Sequence, residues 1–108
     1  MKTEPNIFLD TLYEFHHINA EFPIQYIIFF LELAKEEGRS LTNLAEKTGM
    51  SLSTVSRITN ALSREQPKRK NYGLITVKIA PDEKRRKQLF LSPKGKTLIQ
   101  NISKYTDQ

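Results

Sequence analysis

The stretch from residue 41 to residue 62, LTNLAEKTGMSLSTVSRITNAL, places the strongest constraint on the fold. Two short amphipathic helical patterns meet at Gly49, and glycine permits the positive φ that a tight turn between two helices needs. Ala45 is small enough for the two helices to cross closely. The residues expected to bury between the helices are apolar: Leu44, Val55, Ile58 and Leu62. The pattern predicts a helix-turn-helix, whose first helix follows Ser40 and whose second helix follows Ser51.

A β-hairpin is predicted after this motif. Residues 74–80 (LITVKIA) and 87–91 (KQLFL) alternate apolar and polar side chains, which is the period of a strand with one buried face. The turn between them, PDEKRRK, is charged. A hairpin in this position would form the wing of a winged helix.

Three further helices complete the predicted fold. Residues 6–18 carry one apolar stripe, whereas residues 23–37 are apolar around most of the helix circumference and need cover on several sides. Pro23 suits the first turn of that second helix, and Gly38 is its expected C-cap. The last helix starts at Pro93 and ends near residue 105. The predicted order is α-α-α-α-β-β-α, a mainly α fold with a small β-hairpin wing.

The length of 108 residues fits one winged-helix domain over residues 1–108. We expect residues 1–38 to supply dimerisation helices, residues 39–92 the winged helix-turn-helix and residues 93–108 the C-terminal helix. Because the chain has no cysteine, it has no thiolate for disulfides, zinc fingers or iron–sulfur clusters. The first residues lack the pattern of a signal peptide and the longest apolar stretch is too short for a bilayer, so a cytoplasmic protein without membrane contact is expected.

Charge is divided unevenly along the chain. Residues 1–50 hold four Lys/Arg against eight Asp/Glu, a net charge of −4, whereas residues 51–108 hold thirteen against four, a net charge of +9. A basic half on a small domain favours an anionic polymer as partner, although a basic surface can also serve solubility alone.

The second helix of the motif has a polar side suited to double-stranded DNA. Arg57 can pair bidentately with guanine and Asn60 with adenine, while short hydroxyls and the helix N-terminus at Ser51 can reach phosphates. An ordinary helical pair with a polar outer face would look the same. The cations of the wing turn suit the minor groove, or form a solvated charge run. The predicted DNA-binding residues are Ser51, Ser53, Thr54, Ser56, Arg57, Asn60, Arg64, Lys84, Arg85, Arg86 and Lys87.

Residues 41–99 resemble the winged-helix core of the MarR family of bacterial transcription regulators. The matching pieces are residues 41–62, then GLITVK, then PDEKRRKQLFLSPKGKTLI. The resemblance implies a dimer that binds palindromic operators in the bacterial cytoplasm or nucleoid, usually as a repressor, and often releases DNA when a small ligand binds. It also implies that Arg85 is the wing-tip arginine and that the recognition helix carries Ser53, Thr54, Ser56, Arg57 and Asn60.

The helices outside the motif are expected to join two copies of the chain. The residues assigned to that homodimer interface are Phe8, Leu12, Phe15, Ile24, Ile27, Ile28, Leu31, Ile102 and Tyr105. An aromatic cluster over residues 15–30 favours core or interface over an effector pocket, and a possible small-molecule effector stays unidentified. His16 and His17 are adjacent and lack the spacing of metal ligands, so neither a metal nor a cofactor is expected. Because catalytic motifs are missing, the chain is predicted not to be an enzyme.

Two other functions stay open at the level of sequence. Small winged-helix proteins of plasmids and phages resemble this chain almost as well, which allows an architectural role in partition, or in centromere or origin binding. A winged helix can also serve as a protein-interaction module.

Overall fold

A computed structural model describes residues 4–63, 71–81 and 86–106 of the chain. Within these ranges the helices and strands follow the predicted order: α1 (Glu4–Ile18), α2 (Ile24–Lys35), α3 (Leu41–Thr48), α4 (Leu52–Leu62), β1 (Ile75–Ile79), β2 (Lys87–Leu91) and α5 (Pro93–Thr106). The predicted mainly α fold with a β-hairpin wing is therefore confirmed. In the part of the chain that is described, every helix is too short or too polar to cross a bilayer.

Helix α2 lies at the centre of the molecule because neighbouring elements cover its apolar residues from several sides. It packs against α3, α4 and β2. Phe29 and Phe30 are completely buried, and each such side chain stabilises the fold by roughly 1.5–3 kcal/mol relative to an exposed one. The ring of Phe15 on α1 meets the ring of Phe30 edge-on, with centroids 5.9 Å apart. Ile24 and Ile28, on the remaining side of α2, stay exposed.

Phe15 corrects one assignment made from the sequence, because it does not reach the surface where a second copy could touch it. Its side chain is 0% exposed and lies between the rings of Phe22 and Phe30. The first turns of α1 lack such cover, so Phe8 and Leu12 on the same helix are 66% and 48% exposed. The apolar stripe of α1 is therefore core at one end and surface at the other.

Helices α1 and α5 pack against each other and link the two ends of the described chain. The Tyr105 hydroxyl donates a hydrogen bond to the Glu14 carboxylate. That hydrogen bond, together with desolvation and the negative charges of Glu14 and Asp10, raises the pKa of Tyr105 to about 12. Three further residues assigned to the dimer interface are partly buried against their own core: Ile27, Leu31 and Ile102.

Helix α3 begins and ends where the sequence predicts. The Ser40 Oγ accepts a hydrogen bond from the Asn43 N–H at 3.0 Å, which satisfies one of the unpaired donors of the first turn. Gly49 ends the helix with a φ of 74°. This left-handed conformation favours glycine, because a Cβ strains the backbone there.

Gly38 is not the C-cap of α2, contrary to the sequence prediction. The helix ends at Lys35, and Glu36 is its C-cap in an extended conformation. The φ of 86° at Gly38 serves a different purpose, since it turns the chain until the Gly38 N–H donates to the Leu89 carbonyl at 2.7 Å. The Gly38 N–H is thus paired with the wing strand and not with the end of α2.

The wing is a two-stranded hairpin, and the segment before α3 forms a short backbone bridge to its outer side. Strands β1 and β2 pair antiparallel along their whole length, with Ile75 opposite Leu91. Arg39, between α2 and α3, forms an antiparallel bridge to Leu89 on the other side of β2. The Arg39 side chain is nearly buried, and its Nη1 lies 3.4 Å from Oε1 of Glu32. The segment that leads into the helix-turn-helix is thereby attached to the wing.

Ser92 fixes the start of α5 on the start of the wing. Its buried hydroxyl accepts from the Gly95 N–H at 3.1 Å and donates to the Gly73 carbonyl at 2.6 Å. The Ser92 N–H donates to the Leu74 carbonyl at 3.0 Å. Gly95 has no room for a side chain, because a Cβ there would lie 2.1 Å from the Leu74 carbonyl oxygen.

Replacing Gly95 with alanine should destabilise the protein by about 1–3 kcal/mol, because the added methyl group would overlap a backbone carbonyl that cannot move aside. Alanine is the better helix former by about 1 kcal/mol, but that gain is smaller than the cost of the overlap. Urea denaturation measures the free energy of unfolding. Lys96→Ala, at the exposed next position of α5, is the control and should change it by less than about 0.5 kcal/mol. Equal stability of the two variants would contradict the close contact between α5 and the wing.

Candidate nucleic-acid interface

Helix α4 has one buried side and one exposed side, as the sequence predicts. The buried side carries Val55, Ile58, Thr59 and Leu62. Ser53, Arg57 and Asn60 are exposed and lie together on the opposite side, since residues three or four apart share a helix face. The helix contains no acidic residue. A hydroxyl, a guanidinium and an amide are therefore presented together to solvent.

Three hydroxyls at the N-terminus of α4 contact one another. The Ser51 Oγ accepts from the Thr54 N–H at 3.1 Å and donates to the Thr54 Oγ1 at 2.9 Å. The Ser53 Oγ lies 3.2 Å from the same Ser51 oxygen. Ser51 is thus the N-cap that the sequence predicts, and its hydroxyl is already used within the helix. An anion at this end of α4 would therefore meet the remaining backbone N–H groups of the first turn and the positive potential of the helix N-terminus.

The sequence LSTVSRITNALSREQ predicts that the second helix of the motif continues to residue 66, just before Pro67, but α4 ends at Leu62. Ser63 is extended and forms a bridge to Ile75, while the Leu74 N–H donates to the Leu62 carbonyl at 2.9 Å. The residue before β1 thus pairs with a carbonyl group that a further helical turn would otherwise use. Arg64, assigned to the DNA contact, lies outside the described residues.

Two cations lie at the base of the wing. Arg86 and Lys87 are both exposed, and Lys87 begins β2. The Ala80 N–H donates to the Arg86 carbonyl at 2.7 Å, which extends the hairpin ladder beyond the strands. Lys84 and Arg85 lie outside the described residues, so their role in the minor groove stays a prediction.

A groove lies between the first turn of α3, the first turn of α4 and the base of the wing. It has a volume of 540 Å³ and is lined by Ser40, Leu41, Thr42, Leu52, Ser56, Arg86 and Lys87. The structure therefore brings Ser56 together with both wing-base cations. Leu52 is 53% exposed, and it is not among the residues that the sequence predicts for the interface. Its place three residues before Val55 puts it on the apolar stripe, but within the described ranges no element covers it at the first turn of α4.

Tyr72 holds the wing base against the α1–α2 corner. Its hydroxyl accepts from the Asn19 Nδ2 at 2.9 Å, and its ring lies 4.9 Å from the ring of Phe22. Its backbone N–H donates to the Ala61 carbonyl near the end of α4, at 3.2 Å. The Lys94 Nζ donates to the Tyr72 carbonyl at 3.0 Å. Tyr72 therefore packs inside the molecule rather than towards the exposed side of α4.

A second concavity lies away from α4, between α1 and α5. It has a volume of 350 Å³, and its polar lining includes His17, Lys94, Thr97 and Asn101, with Ile18, Leu74 and Leu98 among its apolar residues. Of the aromatic residues considered for an effector pocket, Phe15, Phe29 and Phe30 are completely buried in the core. Core packing therefore accounts for them without a ligand.

Residues 31–66 match a protein-family model described as the IclR helix-turn-helix domain. Among curated proteins, no sequence is significantly similar. Solved structures with the same fold include RV1404 from Mycobacterium tuberculosis, at 15% identity over 94% of this chain and 64% of that one, with a TM-score of 0.73. The transcriptional repressor CouR, bound to a 23-mer DNA duplex, matches at 22% identity over 97% and 68%, with a TM-score of 0.66. MarR from Staphylococcus aureus, in complex with salicylate and kanamycin, matches at 23% identity over 95% and 62%, with a TM-score of 0.64.

These matches confirm the winged-helix fold and its likeness to MarR-family regulators. The chain spans between 62% and 68% of the length of these three solved proteins. The matched family model covers α3, α4 and the end of α2, which are the elements that form and support the exposed side of α4.

Replacing Ser51 with alanine should lower the free energy of unfolding by about 1 kcal/mol, because the Thr54 N–H loses its capping partner. Ser53→Ala, two residues further on the same turn, should change stability by less than about 0.5 kcal/mol, because its hydroxyl caps no backbone group among the described contacts. Thermal unfolding of the two variants measures the difference. Equal destabilisation by both substitutions would contradict the capping role of Ser51.

Proposed function

We propose that the protein is a dimeric, sequence-specific double-stranded DNA-binding transcription regulator that acts as a repressor. The observation that carries the proposal is the exposed side of α4, where Ser53, Arg57 and Asn60 lie together on the second helix of a helix-turn-helix. The matched family model and the DNA-bound repressor of the same fold support it. In this proposal the protein acts in the cytoplasm by binding DNA, and we assign it no catalytic activity.

In the proposed mechanism α4 enters the major groove, which is wide enough for one helix and displays a different pattern of polar groups for each base pair. Arg57 donates two hydrogen bonds to a guanine, and Asn60 pairs with an adenine. The N-terminus of α4, next to Ser51, faces a phosphate. The wing reaches the adjacent minor groove with Lys84, Arg85 and Arg86, where the negative potential of narrow A·T-rich segments attracts cations.

The proposed homodimer covers an apolar surface that the single chain leaves open. On α1 and α2, large apolar residues are about half or more exposed: Phe8, Leu9, Leu12, Tyr13, Ile24 and Ile28. A surface of this kind on adjacent helices is typical of protein interfaces. Two copies related by a two-fold axis would place two α4 helices on half-sites about one helical turn, or ~10 base pairs, apart.

We also propose that a small molecule regulates the protein, without naming the compound. The structure of S. aureus MarR contains salicylate. In this chain the concavity between α1 and α5 has a volume of 350 Å³, within the range of about 300–1,000 Å³ that small-molecule sites occupy. Its lining combines apolar side chains with polar ones, which include His17, Lys94 and Asn101.

Arg57→Ala should weaken binding to the selected DNA site by about 1–3 kcal/mol and relax the base preference at one position, because a bidentate contact to guanine is lost. The site is obtained by selection from a random pool of duplexes, and fluorescence anisotropy measures the affinity. Lys47→Ala, an exposed cation at the far end of α3, is the matched control and should bind like the unmutated protein.

The same selection separates the candidate functions. One enriched palindrome supports a regulator, whereas tandem sites with cooperative spreading would indicate a plasmid or phage architectural role. Failure to bind any duplex at moderate salt would contradict DNA binding and favour a protein-interaction module. If Arg57→Ala lowered the affinity for all duplex sequences equally, Arg57 would contact a phosphate and not a base.

Replacing Phe8 and Leu12 together with glutamate should convert the dimer into a folded monomer, because both side chains are exposed in the single chain and the charges would oppose burial in an interface. Sedimentation equilibrium gives the mass, and circular dichroism reports the fold. Phe30→Glu is the contrasting variant and should unfold the chain, since Phe30 is completely buried. A monomeric unmutated protein would contradict the dimer.

A further inference from the structure

We propose that Glu37 is a positioning residue for DNA binding: its carboxylate holds the outer edge of β2, fixes the wing relative to α4 and thereby raises the affinity for DNA. The inference rests on the proposed DNA-binding function and adds to it an acidic residue that acts through the wing. Glu37 belongs to residues 36–39, between the end of α2 and the N-cap of α3, which we call the connector.

The outer edge of β2 carries backbone groups that β1 does not pair. On the inner edge, the Ser92 N–H donates to the Leu74 carbonyl. Because hydrogen bonding in an antiparallel pair alternates along each strand, Leu91 and Leu89 direct their N–H groups to the opposite, outer edge. Both leucines are buried, and a buried N–H group without a partner destabilises the fold.

The connector supplies partners along this outer edge. The Leu89 N–H donates to the Arg39 carbonyl at 3.0 Å, and the Leu89 carbonyl accepts from the Gly38 N–H at 2.7 Å. Two residues further along β2, the Leu91 N–H donates to the Glu37 Oε1 at 2.7 Å. The carboxylate therefore occupies the place where a third strand would present a backbone carbonyl. Its charge makes this hydrogen bond stronger than one between neutral groups.

The backbone of the connector is held so that the Glu37 side chain reaches β2. Glu36 ends α2 in an extended conformation, and Gly38 turns the chain with a φ of 86°. The Arg39 Nε donates to the Glu36 carbonyl at 2.8 Å, while its Nη1 lies 3.4 Å from the Glu32 Oε1. Arg39 is nearly buried, so it ties the connector to α2 from inside the molecule. Glu37 is therefore fixed from both sides before DNA binds.

The connector gives the wing its second attachment. On the side of β1, the wing is attached to α4 through the Leu74 N–H and the Leu62 carbonyl. On the side of β2, it is attached to the connector. With one attachment weakened, the hairpin can turn about the other. In the proposed complex α4 and the wing contact adjacent grooves of one duplex, so only the molecules whose wing is in place bind with full affinity.

The sign of the effect separates positioning from charge. A carboxylate by itself opposes DNA binding, because the phosphates repel it. Removing an exposed glutamate should therefore leave the affinity for DNA unchanged or raise it. The proposal predicts the opposite for Glu37, whose removal should lower the affinity because the Leu91 N–H loses its acceptor.

Glu37→Ala should weaken binding to the selected duplex about fivefold, the effect of one hydrogen bond of ordinary strength. Glu36→Ala removes the same charge from the exposed preceding residue, and it should bind at least as tightly as the unmutated protein. Fluorescence anisotropy at two salt concentrations measures both affinities. Their ratio should be independent of salt, because the two variants carry equal net charge. Equal or tighter binding by Glu37→Ala, relative to Glu36→Ala, would overturn the proposal.

Glu37→Gln provides a rescue at the same position. It removes the same charge as Glu37→Ala but keeps a side-chain oxygen that can accept from the Leu91 N–H, so it should recover most of the lost affinity. Hydrogen exchange reports the contact directly, since the Leu91 amide should exchange faster in Glu37→Ala than in Glu37→Gln or the unmutated protein. Equal affinities of the alanine and glutamine variants would contradict a role through this hydrogen bond.

Hydroxyl-radical footprinting then locates the loss. In Glu37→Ala the protection of the minor groove beside the contacted major groove should fade, while the base preference that α4 shows in the selection should stay the same. Loss of both, together with a lower thermal midpoint than Glu36→Ala, would show general destabilisation and refute the positioning role. Absence of duplex binding by the unmutated protein would instead refute the proposed function.

Discussion

The candidate interface depends on one hydrogen-bonded junction, in which the end of α4, the start of β1 and the start of α5 meet at Leu74. The Leu74 N–H donates to the Leu62 carbonyl, and the Leu74 carbonyl accepts from the Ser92 N–H. Leu74 is also completely buried, so moving the wing away from α4 would break paired backbone groups and expose apolar surface at once. The wing base and the exposed side of α4 therefore keep one separation, which a protein that contacts two adjacent grooves of a duplex requires.

Tyr72 connects this junction to the N-terminal helices. It stands two residues before Leu74, hydrogen-bonds to the end of α4 through its backbone, and packs its ring on the α1–α2 corner. The proposed dimer surface and the concavity between α1 and α5 both involve α1. Packed contacts therefore run from that corner, through Phe22 and Tyr72, to the end of α4.

Local signals predicted the helix-turn-helix well because its determinants lie within a few residues of one another. Ser40, Gly49 and Ser51 each act on the nearest helix end, and all three perform the predicted role. Gly38 was assigned wrongly because its N–H donates to Leu89 on a distant strand and not to the end of α2. Leu52 was missed for a related reason: periodicity says which side of a helix a residue occupies, but not whether another element covers that side.

The sequence by itself determined the order of helices and strands, the buried side of α4 and the division of charge, because each follows from side-chain periodicity or composition. Tertiary structure alone decided which apolar residues face solvent, since Phe15 and Phe8 share one stripe on α1 and differ only in what packs above them. It alone also brought Thr42, Leu52 and Lys87 around a single groove. Lys87, on β2, lies far along the chain from the two helices that carry Thr42 and Leu52. No pattern along a sequence encodes the distance between elements that meet only when the core has formed.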